Sequence, residues 1–194
     1  MEKFELSPQF NIEGISAASG LVYKDNKLYI ISDSSSYLYE YDIAVEKLNK
    51  IALVKNAQEN IIKKDKPDFE SITLKDEKLL ILGSGSTATR NTMIAFDLKS
   101  KEATIQSLDE VYSLIKSEHS ITDSELNIEG YIVTDETVYY FQRGNGTQGK
   151  NGIFFSKGDT EKPKFIFVPF DLPPINSVAT TFTDAILVQD TIYF

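Results

Sequence analysis

Ile72-Thr73-Leu74-Lys75, Asp76-Glu77, Lys78-Leu79-Leu80-Ile81-Leu82 is the stretch on which the fold turns. A half-apolar run meets two polar residues and is followed by a denser apolar run, the pattern of a β-hairpin with a two-residue turn. The same pattern recurs three times. Leu21-Val22-Tyr23-Lys24 precedes Asp25-Asn26 and Lys27-Leu28-Tyr29-Ile30-Ile31. Tyr131-Ile132-Val133-Thr134 precedes Asp135-Glu136 and Thr137-Val138-Tyr139-Tyr140-Phe141. Ala185-Ile186-Leu187-Val188 precedes Gln189-Asp190 and Thr191-Ile192-Tyr193-Phe194. The turns begin at 25, 76, 135 and 189, so the steps between them are 51, 59 and 54 residues.

Each step has room for two further strands. Tyr37–Asp42, Asn91–Leu98 and Gly152–Ser156 read as third strands; Lys47–Val54, Lys101–Gln106 and Lys164–Val168 read as fourth strands. Four antiparallel strands in about 50 residues predict an all-β protein, a β-propeller of four-stranded blades. A β-sandwich also spaces short strands regularly and is the competing architecture. The repeats fall at approximately 15–55, 67–107, 126–170 and 180–194, within a single domain over 1–194. One short helix interrupts them: Ser107 and Glu110 suit a capping box, Leu108, Val111, Tyr112 and Ile115 share a face, and the helix is expected on the propeller rim. Phe194 falls inside a second strand, so about three and a half blades are present and the domain reads as C-terminally truncated. A complete ring would have five or six blades, with residues 2–8 supplying the outer strand of the last.

Composition narrows the chemistry. Hydrophobic residues make up 41% of the 194 residues, enough for a core. Twenty Lys and Arg against 29 Asp and Glu give a net charge of −9, a poor match for nucleic acid or an anionic membrane. With no cysteine and one histidine, thiolate chemistry, iron–sulfur clusters and multi-histidine metal sites are excluded. His119 reads as a helix-end or solvated residue. The first residues lack a signal-peptide pattern, so the expected location is cytoplasmic.

Aligning the repeats on their turns puts Glu70 and Glu129 at one register, six residues before Asp76 and Asp135. Ser19 and Thr183, the latter beside Asp184, are their counterparts. Eight residues after the turn start stand Asp33, Ser84 and Arg143. Hairpin topology brings the start of each first strand beside the end of the second, so all of these residues are expected on one face near a central channel. Glu70 and Glu129 are the candidate catalytic acids. With Asp68 and Asp33 they could hold calcium, a hard cation that prefers oxygen ligands. Arg90, Arg143, Ser84 and Asn145 are candidate ligand-binding residues, the two Arg suiting an anion held bidentately. Two loops resemble nucleotide motifs and are set aside. Gly144 to Lys150 matches G-x-x-x-x-G-K, but Asn151 stands where Ser or Thr would bind magnesium. Gly83-Ser84-Gly85, like that loop, leads into a strand rather than a helix N-terminus.

Ser19-Gly20-Leu21, Lys66-Pro67-Asp68-Phe69-Glu70, Gly83-Ser84-Gly85-Ser86 with Arg90, and Asn127-Ile128-Glu129-Gly130 with Arg143-Gly144-Asn145 together resemble a family of uncharacterised bacterial β-propellers. The likeness spans residues 10–194. More distantly, Asp68-Phe69-Glu70-Ser71-Ile72 is similar to the D-x-E-G-[IL] run of phytase-like and esterase-like propellers, although Ser71 replaces the glycine. The resemblance implies a propeller with an acid near the channel mouth and carries no activity over. Binding of a small ligand or a partner at the channel-mouth face is the leading expectation, with a small-molecule anion or a protein as the possible partner. A calcium-assisted, metal-dependent hydrolase of phosphoesters or carboxylic esters is the alternative, and a purely structural scaffold is the third.

Overall fold

The computed structural model describes residues 11–144, 146–158 and 163–194. The segment 2–8, expected to form an outer strand, lies outside the described residues, as does Asn145. The described residues form three antiparallel four-stranded sheets and a final hairpin, each a simple meander. Sheet one contains β1 (Ala18–Lys24), β2 (Lys27–Ser32), β3 (Tyr37–Asp42) and β4 (Lys47–Ala52). Sheet two contains β5 (Phe69–Lys75), β6 (Lys78–Gly83), β7 (Thr92–Asp97) and β8 (Ala103–Ser107). Sheet three contains β9 (Ile128–Val133), β10 (Thr137–Gln142), β11 (Gly152–Lys157) and β12 (Ile166–Pro169). The last hairpin pairs β13 (Ile186–Val188) with β14 (Thr191–Tyr193). All four expected hairpins form, and the third and fourth strands lie within a residue or two of their expected positions. Asp25 and Asn26, and likewise Asp76 and Glu77, take positive φ at both turn centres, the backbone that matches strand twist in two-residue hairpins.

The dense apolar runs follow from how the sheets pack. Sheet two has a neighbour on each face, so both sides of β6 are core. Leu79 and Ile81 pack with Ile31, Leu38 and Phe96 in one cluster, while Leu82, with Leu80 beside it, packs with Tyr131, Tyr140 and Phe154 in a second. In β10, Tyr140 belongs to that second cluster and Phe141 to a third, with Ile132, Phe182 and Ala185. Each sheet thus shares a core with the next one in sequence, unlike the two stacked layers of a sandwich. The first strands are neighbours: β1 lies against β5, β5 against β9, and β9 against β13. The fourth strands are largely exposed.

The helix α1 (Asp109–His119) is part of the core rather than an addition to a rim. Tyr112 and Ile115 are fully buried between sheets two and three, and the Tyr112 hydroxyl donates to the Gly83 carbonyl at 2.8 Å. The capping box does not form. Ser107 Oγ accepts from the Asp109 amide at 3.0 Å and donates to the Asp109 carboxylate, which leaves Glu110 without a capping role. His119 ends the helix, and its Nε2 lies 3.1 Å from the Phe165 carbonyl oxygen.

Gly130 sets how closely β9 approaches the last hairpin: a Cβ there would lie 2.8 Å from Ala185 Cβ and 3.0 Å from the Ala185 nitrogen. Gly130→Ala is expected to cost roughly 1–3 kcal/mol by overpacking against backbone. The denaturant midpoint should fall, and the amides of β13 and β14 should lose hydrogen-exchange protection before those of sheet one.

Candidate functional site

The polar face is built by a backbone device repeated in three sheets. The residue eight positions after each turn start donates its amide to the carbonyl eight positions before it: Asp33 to Ala17 at 3.2 Å, Ser84 to Asp68 at 3.0 Å, Arg143 to Asn127 at 2.9 Å. Inside each clamp the first strand carries one residue too many. Pairing jumps from Ala18 to Gly20, from Phe69 to Ser71, and from Ile128 to Gly130. The residues passed over are Ser19, Glu70 and Glu129. A one-residue bulge turns its extra side chain out of the pleat, and bulges recur where a strand must aim a functional group.

The structure brings three of the four expected acids together. Carboxylate oxygens of Asp33, Asp68 and Glu70 lie within 4.8 Å of one another. Glu129 is near enough to raise the pKa of both Glu70 and Asp184 by charge repulsion. Lys66 Nζ sits between two of these acids, 2.6 Å from Asp68 Oδ1 and paired with Asp33 Oδ2. Burial pulls the Lys66 ammonium down, but its bonds to Asp33 and Asp68 outweigh this and hold its pKa above the ordinary lysine value. Asp68, buried, also accepts from Ser84 Oγ at 2.5 Å and pairs with Arg90 at 3.0 Å. Arg90 donates further to Ser86 Oγ and to the Lys63 carbonyl. Ser84, expected to meet a ligand, is fully buried and orients Asp68 instead. Arg143 pairs with Glu129 at 3.1 Å and remains partly exposed. Lys150, from the loop that imitates a phosphate motif, caps α1 by donating to the carbonyls of His119 and Ser120.

Glu70 and Glu129 share a register and differ in their helpers. Glu129 accepts from Asn127 Nδ2 at 2.7 Å as well as from Arg143. In sheet two the position equivalent to Asn127 is Asp68, and the one equivalent to Arg143 is Ser84. The amide becomes a like charge and the guanidinium becomes a hydroxyl already committed to that charge. Glu70 therefore has no hydrogen-bond or ion-pair partner among the described residues. Burial, followed by repulsion from Glu129, Asp68 and Asp33, pushes its carboxyl up to about 8. Burial raises Glu129 above the ordinary value as well, against the pull of Arg143. Asp184 is pushed up to about 6, chiefly by burial.

Sequence reasoning gave Lys66, Ser86 and Asn127 no role in the site, and put Asp184 on its face only as the neighbour of Thr183. The repeat alignment carried signals for two of them: Asn127 sits in the clamp register, and Asp184 adjoins the register of Glu70. Lys66 and Ser86 are in loops, where the repeat gives no alignment.

A carboxyl that keeps its proton in the folded state up to about pH 8, and loses it near 4.5 when unfolded, makes folding bind a proton between those values. Stability must then fall as pH rises from about 5 to 8, by roughly 1–3 kcal/mol once solvent screening is allowed for. Asp184 acts in the same direction between 3.8 and about 6. Glu70→Gln should flatten the upper part of this slope and raise the denaturant midpoint most at pH 8–9. An unchanged slope in that variant would contradict the assignment.

Among the described residues no helix is long and apolar enough to cross a membrane. No curated protein matches the chain. Among solved structures, it is similar to the N-terminal domain of Nup159, with 12% identity and a TM-score of 0.39 over 82% of this chain and 32% of that one. It is also similar to the computationally designed Ika4 protein, with 13% identity and a TM-score of 0.45 over 94% of this chain and 87% of that one. A third similarity is to the tricorn protease, with 11% identity and a TM-score of 0.39 over 82% of this chain and 14% of that one. The chain thus spans about a third of the Nup159 chain it matches. A family model matches residues 14–194, and by that match the chain belongs to the Family of unknown function (DUF6929).

Proposed function

We propose that this chain is a β-propeller that binds a small ligand where the first strands of its blades begin. Three observations support the propeller: the sheets are four-stranded meanders, consecutive sheets share a core, and first strands neighbour first strands. The binding role rests on Glu70. Its carboxyl is turned out by a bulge, lacks a partner among the described residues and is neutral at pH 7, so it can both donate and accept a hydrogen bond. The groups around it are held by bonds of their own, which leaves a fixed polar frame with one uncommitted member.

The calcium-assisted hydrolase is a second reading, favoured by the close approach of Asp33, Asp68 and Glu70 oxygens. In it, calcium would take the position of the Lys66 ammonium, and Arg90 and Arg143 would orient an anion. The ammonium already neutralises that corner, so the ion would have to displace a buried pair. This weighs towards simple binding.

Thermal-shift measurements on the wild type and Glu70→Ala, against calcium chloride, inorganic phosphate and a panel of small polar molecules, test both readings. The binding reading expects at least one organic compound to raise Tm in the wild type and not in Glu70→Ala, with the variant still folded. A ligand present at about 100 times its Kd would add ~2.7 kcal/mol. Compounds that act equally on both proteins would overturn this reading. Stabilisation by calcium alone, lost in Glu70→Gln, would favour the hydrolase.

A further inference from the structure

The first strands carry two chemistries along their length. They begin at the acids and then line an apolar cleft of about 460 Å³, walled by Leu21, Ile72, Leu74, Ile132, Ile186 and Val188 among others. That volume is in the range of small-molecule sites. Leu21, Ile186 and Val188 are 45%, 42% and 48% exposed, an unusual concentration of bare aliphatic surface on one cleft. Leu21 is two residues beyond Ser19, Ile72 two beyond Glu70, Ile132 three beyond Glu129 and Ile186 two beyond Asp184. At ~3.3 Å per residue, the acid level and the apolar level are roughly 7–10 Å apart along the same strands.

The charge at the polar end selects the sign of a ligand. Five carboxyls (Asp33, Asp68, Glu70, Glu129 and Asp184) face three cationic side chains, Lys66, Arg90 and Arg143. Each of these cations is already paired with an acid, while among the described residues Asp184 has no cation and Glu70, neutral when the site is empty, would be drawn into its carboxylate form by a cation placed beside it. The complementary group is therefore positive. We infer that the cleft and the acid face form one site for an amphipathic organic cation, with its apolar body along β1, β5, β9 and β13 and its ammonium beside Glu70, Glu129 and Asp184. This rests on the ligand-binding reading above and adds the ligand's chemical class. A straight chain of about eight carbons matches the span between the two levels.

Titration calorimetry with n-octylamine, octan-1-ol and octanoate tests it, since the three probes share a tail and differ in head-group charge. n-Octylamine is expected to bind at least tenfold more tightly than either control. Asp184→Asn should cut that preference several-fold, and Leu21→Ser should weaken n-octylamine several-fold while the variant keeps its wild-type circular dichroism spectrum. Octan-1-ol binding as tightly as n-octylamine would overturn the cation assignment. So would a polar ligand that depends on Glu70 and is indifferent to Leu21→Ser, yet that result would leave the ligand-binding reading intact. That reading fails separately, if no compound distinguishes the wild type from Glu70→Ala.

Discussion

The polar face depends on a mismatch of one residue. In each of three sheets, the first strand contributes an extra residue between two fixed points: the hairpin turn and the amide-to-carbonyl clamp eight residues on either side of it. The strand cannot slip to absorb that residue, because a one-residue slip would carry every core side chain to the wrong face. The surplus is expelled locally as a bulge, and Ser19, Glu70 and Glu129 are the residues expelled. Backbone bonds then join the sheets at the same level: Asp68 donates its amide to the Asp33 carbonyl at 3.0 Å, and Ile128 to Ser84 at 2.8 Å. Side chains far apart in sequence are therefore set at one height by main-chain hydrogen bonds.

Electrostatics then differentiates positions that the backbone made equivalent. A buried carboxylate needs a cation or several donors, and one that lacks both retains its proton. Sheet three provides Arg143 and Asn127 for Glu129. Sheet two has Ser84 and Asp68 at those positions, and Asp68 itself draws on Lys66 and Arg90. Two cations are thus used to stabilise a residue that makes Glu70 harder to ionise. Sheet one reduces the pattern to Ala17, Ser19 and Asp33, and the Ser19 hydroxyl donates to the Phe69 carbonyl at 2.5 Å. One scaffold position has become an acid held by Arg143 and Asn127, an acid without a partner among the described residues, and a structural hydroxyl.

The hairpins were legible in the sequence because their period-2 runs and polar turns are local, and four copies reinforced one another. The register of Glu70 and Glu129 followed from the turns alone. The bulges did not show: Ser19, Glu70 and Glu129 are not glycines, and an unpaired residue is visible only when both strands are in place. The helix start was misplaced by about a residue because Ser107 can serve either of two adjacent amides. Burial of α1 was missed because Tyr112 and Ile115 fill a gap whose size depends on how sheets two and three meet. The closure of Lys66 and Arg90 on Asp68 depends on loops from two sides of sheet two, whose paths no spacing rule fixes.

The packing also dictates where chemistry can sit. Sheets two and three are covered on both faces, so their central strands alternate between two apolar cores and have no polar face to offer. In these two sheets the charged residues of the strands are confined to strand ends and to the first strands. The fourth strands are the largely exposed edges of their sheets. The first strands are the ones that meet, and their turn-side ends are closed by the ion pairs Lys24–Glu77 and Lys75–Asp135, each reaching from one sheet to the next. The opposite ends are where unpaired acids remain. The first strands are thus where the described sheets come together, and Glu70 stands at their acidic ends with no hydrogen-bond or ion-pair partner among the described residues.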